Sequence, residues 1–299
     1  MIFLAAALLA IGSSPDSTLD RIQARIEKEP GAQVGLAYID LASGDTLFLN
    51  PDTSFHAAST MKIPVMIELF RRERTGAFRM DQGLLLVNQF ASIVDGSAYA
   101  LDLSSDSDSS LYRRIGQRVP IDTLLRLMIT RSSNFATNTL IALVGAEQVN
   151  RTMRSLGANR IQVLRGVEDG KAFDKGMNNT TTARDLATIL RAIEEGRAGS
   201  PEATREMKEI LLAQEFNEKI PAGLPPGIRV AHKTGEITAH SHDAAIVYPP
   251  GRKPYVLVVL TRGIQDGARA SKLIADISSM IYARNAARAG ISIGGNNRE

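Results

Sequence analysis

Ser59 and Lys62 stand three residues apart in 56-HAASTMKIPVM-66. If a helix begins there, that spacing puts a hydroxyl and an amine on one face. A serine hydroxyl is a poor nucleophile at neutral pH unless a neighbouring group takes its proton. A desolvated lysine is such a group, because burial lowers an ammonium pKa toward the working range. The preceding 51-PDTSFHAA-58 is turn-like, and Met61, Val65, Met66 and Leu69 follow at helical spacing. Pro64 fits only a helix that begins at or near Ser59, since deeper in a helix it removes a backbone bond. Ser-x-x-Lys alone is a common pattern, so the chemistry needs further partners.

Two other stretches supply candidates. Within the apolar helical pattern of 121–145, the piece 131-RSSNFATN-138 brings Ser132 and Asn134 together. Ser and Asn compete for backbone groups and so mark a helix break, whether or not it has a chemical purpose. The second stretch, 232-HKTGE-236, reads as a strand. Lys233 and Thr234 fall on opposite faces by alternation unless the strand edge runs along a cleft. Gly235 in a strand marks the close approach of another backbone or a ligand. An exposed edge strand accounts for the same residues when they are taken alone. His56 and His232 flank these motifs and are expected at a cleft wall. His240 and His242 with Asp243 make only a poor zinc signature. Either Arg262 or Arg269 can offer a guanidinium to a substrate carboxylate, and the spacing does not choose between them.

The whole chain bounds what these residues can do. With 299 residues, 44% of them hydrophobic, it can bury the core of one large domain or two smaller ones. A formal charge of only +3, scattered along the sequence, argues against a nucleic-acid partner. The absence of Cys excludes disulfides, thiolate metal sites and a Cys nucleophile, and no cofactor or metal is expected. The apolar run 1-MIFLAAALLAIGSS-14 is far shorter than the ~20 residues that span a bilayer. It reads as the core of a secretory signal without the usual basic residues ahead of it, hence as a remnant over 1–15 with a shortened or misassigned start. The expectation is an exported protein, periplasmic or secreted, with no stable membrane span, acting as a monomer on a small molecule. In 102-DLSSDSDSS-110, counting from Asp106, Leu111 and Gln117 stand where a calcium loop needs Gly and Glu, so a solvated loop is expected.

These residues need positioning. An amphipathic helix over 16–31, capped by Asp16 or Ser17, precedes a hairpin of 33–41 and 45–50. The middle, roughly 57–195, is mostly helical in pattern. Strands follow at 229–236, 242–250 and 254–263, then an amphipathic helix over 268–286 and a loose tail, 287–299. Strands at both ends with a helical block between them imply a single domain over 16–286. Its α/β lobe comes from 16–56 and 200–286, a helical lobe from 57–199, and a cleft lies at the junction.

Ser59-x-x-Lys62, then Ser132-x-Asn134, then Lys233-Thr234-Gly235 is the ordered motif set of the penicillin-interacting serine enzymes. From about residue 17 to 286 the sequence resembles a class A β-lactamase, with 134-NFATNTLIALVG-145 and 178-NNTTTARDLATIL-190 adding to the likeness. The resemblance implies an α/β (α+β) fold of the β-lactamase/transpeptidase type: a five-stranded antiparallel sheet flanked by helices, beside an all-helical lobe. It implies Ser59 as the nucleophile acylated by a β-lactam and Lys62 as its proton acceptor, though Glu168 through water is the other acylation base considered. Ser132 is then the relay to the leaving nitrogen and Asn134 the binder of the substrate amide. Lys233 and Thr234 hold the substrate carboxylate, and the backbone N–H groups of Ser59 and Glu236 form an oxyanion hole. Glu168, with Asp169 as fallback, activates the deacylating water. Two residues depart from the family pattern. Ala172 stands where the family has an Asn that helps to hold this water, which leaves Asn178 or Asn179 to supply an amide. Glu236 stands where a small residue is usual. The implied activity is hydrolysis of a β-lactam. The alternatives are a cell-wall peptidase or esterase with the same Ser-Lys site, and a sensor that penicillin acylates without turnover.

Overall fold

The computed structural model describes residues 17–290, so the expected signal remnant at 1–15 and the tail beyond 290 lie outside the described residues. A central antiparallel sheet is built from both ends of the chain. β1 (Gln33–Asp40) and β2 (Thr46–Leu49) form the N-terminal hairpin, and β3 (Arg229–Ile237), β4 (His240–Tyr248) and β5 (Tyr255–Arg262) form the C-terminal meander. The strand order is β2-β1-β5-β4-β3, with Gln33 opposite Arg262 and His240 opposite Ile237. β5 is central, and its side chains alternate between two cores. Leu257 and Val259 pack with Ile22, Ile274 and Ile277, whereas Val256, Val258 and Leu260 join Met66, Met128 and Leu186. Burial on both faces explains why 255-YVLVVL-260 is a continuous apolar run.

Nine helices surround the sheet among the described residues: α1 (Thr18–Ile26), α2 (Lys62–Arg74), α3 (Ile121–Thr130), α4 (Asn134–Val144), α5 (Ala146–Ser155), α6 (Gly170–Asp174), α7 (Ala183–Glu194), α8 (Pro201–Leu212) and α9 (Gly267–Arg288). α1 and α9 cover one face, and α9 runs two residues into the segment expected to be a loose tail. Helices α2 to α8 lie on the other side. Among the described residues, no helix is long and apolar enough to cross a membrane.

One part of the middle segment differs from its helical reading. Between α2 and α3 the chain forms short antiparallel pairs, Gly83–Leu85 with Arg118–Pro120 and Phe90–Ala91 with Ala98–Tyr99, and two 3₁₀ turns. Side-chain hydrogen bonds shape this stretch: Asn88 ties to the backbone of Leu101 in both directions, and Asp95 and Asp102 close local turns. Such polar side chains divert the backbone from a helix.

Candidate active site

A 3₁₀ turn, Ala58–Met61, runs directly into α2 and carries Ser59. Pro64 is the third residue of α2, within the first turn, where it is tolerated. The turn lies against β3, the free edge of the sheet. A Cβ on Gly235 would fall 3.1 Å from the backbone nitrogens of both Ser59 and Thr60, so glycine is what lets strand and turn approach this closely. The edge position also resolves the alternation problem, because Lys233 and Thr234 are both buried between the strand and the helical lobe.

Ser132 and Asn134 come from the break between α3 and α4. Asp106 fixes the start of α4 by accepting from the N–H groups of Asn134 and Phe135, each at 2.9 Å, and it also accepts from Tyr112 Oη at 3.1 Å. Ser133 Oγ caps the same helix through Ala136 N–H. Five non-glycine residues have positive φ among the described residues, and three of them, Ala58 (45°), Ser132 (58°) and Glu168 (62°), lie at this cleft. Each such conformation costs of order 1–3 kcal/mol and persists only where the surroundings over-determine it. At Ala58 that support is His56, whose Nδ1 accepts the Ala58 N–H at 3.0 Å, while His242 Nε2 donates to the His56 carbonyl at 2.8 Å.

Lys62, fully buried, donates from Nζ to the Ser132 carbonyl (2.6 Å), to Ser132 Oγ (3.0 Å) and to Asn134 Oδ1 (3.1 Å). Lys233 Nζ reaches the same Ser132 Oγ at 3.0 Å and the Thr234 carbonyl at 2.9 Å. Asn134 Nδ2 donates to Glu168 Oε1 at 2.7 Å, which links the lysine to the carboxylate. Burial pulls the Lys62 ammonium down to about 7, against the opposing pull of Asp106 and Glu168. Burial, and then the charge of Lys62, push Lys233 well below its ordinary value. Ser59 Oγ makes no hydrogen bond among the described residues. It opens onto a cavity of about 740 Å³ lined also by His56, Asn134, Glu168 and Asn178, and onto a second cavity shared with Ser132, Thr234 and Glu236. Lys62 is thus held by Ser132 and Asn134 rather than by Ser59, its neighbour in sequence. With a lysine near neutrality, a free hydroxyl and a second hydroxyl between two amines, the cluster can take up and pass on one proton.

The segment from Arg165 to Asn179 forms a closed loop around the buried Arg165 guanidinium, which donates to the Met177 and Gly166 carbonyls and to Asn178 Oδ1. Asn179 is consumed within the loop: Oδ1 accepts from Leu164 and Arg165 N–H, and Nδ2 donates to the Arg165 carbonyl. Of the two amides that could stand in at Ala172, Asn178 lines the cavity with its Oδ1 taken by Arg165, which leaves its Nδ2 to serve the cavity. Asp169 is consumed too. It is buried and accepts from Ser92 Oγ, Ile93 N–H and Ala172 N–H, so it staples the loop to the 90–99 hairpin and is not an alternative to Glu168.

Glu236 points along the strand edge to Lys219, with Oε1 2.8 Å from Nζ. His232 is turned away from the cleft, buried between Asp243 and Asn217. His242 and Asp243 are each occupied by protein partners, so they do not converge with His240 on a common point. Arg262 lines the larger cavity and stacks on Phe55, whereas Arg269 pairs with Glu29 behind the sheet. Sequence reasoning missed Lys219, Arg165 and the role of Asp106. All three sit in irregular polar stretches without periodicity, and only the fold brings them to the cleft.

The sheet order, the flanking helices and the placement of the cleft define the class: this is the fold of the class A β-lactamases. A single-residue mutant of the last common ancestor of Gram-negative bacterial class A β-lactamases superimposes with a TM-score of 0.78 at 25% identity, covering 90% of this chain and 98% of that one. The structure of PBP-A gives 0.77 at 28% identity, covering 91% and 96%, and a β-lactamase from Sphaerobacter thermophilus gives 0.78 at 26%, covering 92% and 99%. In sequence, a β-lactamase of Streptomyces albus G is 28% identical over 276 residues, covering 90% of this chain and 85% of that protein. The β-lactamase AST-1 of Nocardia asteroides is 31% identical over 264 residues, covering 86% and 81%. The family description "Beta-lactamase enzyme family" matches residues 18–284, and the chain belongs to that family as a divergent member.

Proposed function

We propose that the protein is a serine hydrolase that opens a β-lactam amide through an acyl-enzyme on Ser59 and clears it with water activated by Glu168. The observation that carries this reading is the continuous path from Lys62 to Ser132 on one side and through Asn134 to Glu168 on the other. At neutral pH an amine with a pKa of about 7 is partly free base. It takes the Ser59 proton as Oγ bonds to the lactam carbonyl carbon. The carbonyl oxygen gathers negative charge between the N–H groups of Ser59 and Glu236, and one such donor is typically worth about 3 kcal/mol. As the tetrahedral intermediate collapses, the C–N bond breaks. The nitrogen then takes a proton from Ser132 Oγ, which is replenished from the protonated Lys62. Lys233 and Thr234 face the carboxyl end of the substrate. Glu168 next removes a proton from water, whose oxygen attacks the acyl carbon. As the C–Oγ bond breaks, Ser59 Oγ recovers a proton that Glu168 gives back through the Asn134–Lys62 cluster or water, and both groups return to their starting states.

A second reading has one observation in its favour. Ala172 and the consumed Asn179 leave fewer groups to hold the deacylating water, and the similar protein PBP-A has been solved, as a variant, in an acyl-enzyme complex with penicillin G. On that reading the protein is acylated and turns over slowly. The test mixes purified protein, with Ser59→Ala as control, with a penicillin and follows ring opening and intact mass together. Catalytic ring opening that requires Ser59, with only a brief mass increase, supports hydrolysis. A persistent adduct supports the second reading, and the absence of both signals with the penicillin and with its methyl ester excludes both readings.

A further inference from the structure

Lys219 lines the end of the cleft formed by Ser59, Ser132, Thr234 and Gly235, yet its ammonium is covered by carboxylates rather than open to that cleft. Its side chain is 1% exposed, and Nζ is held between Glu218 and Glu236, each at 2.8 Å. Burial opposes the charge, but the bonds to Glu218 and Glu236 outweigh it and hold Lys219 above its ordinary pKa, so it stays an ammonium. The backbone beneath it is fixed as well. Asp243 Oδ2 accepts the Ile220 N–H at 3.0 Å, Ser278 Oγ donates to the Ile220 carbonyl at 2.9 Å, and His232 ties Asp243 to Asn217. Glu236 is the opposite case. Its carboxylate is 57% exposed, faces the cleft and covers the ammonium.

The arithmetic of charge at this end is one buried cation against two carboxylates. Past Glu236 the cleft opens into a groove of about 770 Å³ lined by Glu218, Glu236, Asp276 and Lys272, in which Asp276 is paired with Lys272 and Arg25 and the cleft-side carboxylates are Glu218 and Glu236. A substrate carboxylate arriving at Lys233 and Thr234 therefore meets a like charge at Glu236 and cannot use Lys219 unless it displaces that side chain. Juxtaposed like charges are how a site rejects a partner.

We propose that the Glu236–Lys219 pair is a specificity device that disfavours an anionic group at the carboxyl end of the substrate and admits uncharged carboxyl derivatives, such as esters and amides. This rests on the reading of the cleft as an acyl-transfer site, and it adds which acyl donors that site accepts.

The test uses the full-length Ser59→Ala protein, in which no acyl-enzyme forms, and measures by calorimetry the affinity for benzylpenicillin and for its methyl ester. The ester is expected to bind at least as tightly as the free acid. Adding Glu236→Gln, which keeps the exposed side chain's shape and removes its charge, is expected to move the acid-to-ester affinity ratio about tenfold toward the acid. Adding Lys219→Met instead should move it further toward the ester, with thermal unfolding used to show that each variant folds. A free acid preferred tenfold in the Ser59→Ala protein, a ratio unmoved by Glu236→Gln, or no binding of either compound would each overturn the proposal. Hydrolysis by the Ser59 protein is read separately, so a failure of turnover is not mistaken for a failure of this selectivity.

Discussion

Lys62 Nζ and Lys233 Nζ lie at the same distance, 3.0 Å, from one oxygen, Ser132 Oγ. Both amines are fully buried, and the field of Lys62 adds to the burial that lowers Lys233. Two ammonium groups sharing an acceptor in so dry a place titrate as a coupled unit, and the first proton leaves easily. The hydroxyl between them is therefore the natural exit for a proton bound for a leaving nitrogen.

The first prediction concerns pH. The neutral amine of Lys62 is the reactive form, so acylation is expected to be slow below neutrality, to rise as pH passes through about 7 and to level off above it. Lys62→Arg, always charged, should lower the acylation rate by about 10²-fold or more and erase that rise. Rapid mixing with mass detection of the adduct measures both. A flat profile in the native protein would rule out Lys62 as the base.

Glu168 holds its place through Asn134 Nδ2 at 2.7 Å, and a glutamine oxygen can accept the same bond. Glu168→Gln is thus expected to leave the cleft intact and acylation within about tenfold, while deacylation falls by about 10²–10⁴-fold. The adduct should then persist on the mass spectrum for many times its native lifetime. Equal losses in both steps would assign Glu168 a part in acylation as well.

Gly235→Ala tests the closeness of strand and turn. The added Cβ meets the Ser59 and Thr60 nitrogens at 3.1 Å and the Ala58 Cβ at 3.2 Å, and backbone atoms give way only by shifting the whole turn. A displacement approaching 1 Å at a reacting group can cost about 10²-fold in rate. The expected outcome is a folded protein with a thermal midpoint near the native value and kcat/KM reduced on that scale. Native activity would mean that the turn has slack.

What could be read from the sequence divides along a physical line. Ser59 and Lys62 are legible because a local helix fixes their relation, and Lys233 to Glu236 because a strand does. The sheet is legible because β1, β4 and β5 carry long apolar runs. Lys219, by contrast, lies in 214-QEFNEKIPAG-223, where no period exists, and its meaning comes from Glu236 across a fold contact. Asp169 reads as a twin of Glu168 until Ser92 and Ile93, more than seventy residues away in the chain, are seen to use both its oxygens. Likewise the stretch between α2 and α3 departs from its helical reading because side-chain bonds, not hydrophobic spacing, set its course.

Asp106 offers a fourth test, in which stability and pH dependence should move together. Its carboxylate caps α4 through Asn134 and Phe135 N–H and raises the Lys62 pKa against burial. Asp106→Ala removes both effects. Loss of a cap of this kind costs about 0.5–2 kcal/mol of stability. With the negative charge gone, the Lys62 pKa falls further, so the midpoint of the acylation profile should move to lower pH even as the maximal rate declines. Denaturant unfolding and the acylation profile check the two halves. A midpoint that stays still would separate Asp106 from the lysine.

The last prediction places an acid limit on the brace behind Ser59. His242 is buried, with Nε2 on the His56 carbonyl and Nδ1 between the Thr261 N–H and the Ser241 carbonyl, and burial, against the pull of the two carbonyls, lowers its pKa from the ordinary 6.5 to about 4. The sign follows from proton counting. Between these values the unfolded chain binds a proton that the folded chain refuses, so the stability contribution is complete above pH 6.5 and is lost as pH falls toward 4. At about 1.4 kcal/mol per pKa unit the loss is on the order of 3 kcal/mol. His242→Gln can keep one donor and one acceptor without titrating, so its unfolding free energy should depend less steeply on pH over this window, as measured by denaturant titration at several pH values. Because His242 holds the His56 carbonyl and His56 holds Ala58 in its positive-φ conformation, acid should also loosen the turn that carries Ser59. Acylation by the native protein is then expected to fall more steeply on the acid side than Lys62 alone dictates, and the variant less steeply, because His56, which burial also lowers to about 4, remains to titrate in the same brace. Identical pH slopes in the two proteins would show that the protonation of His242 is not coupled to folding.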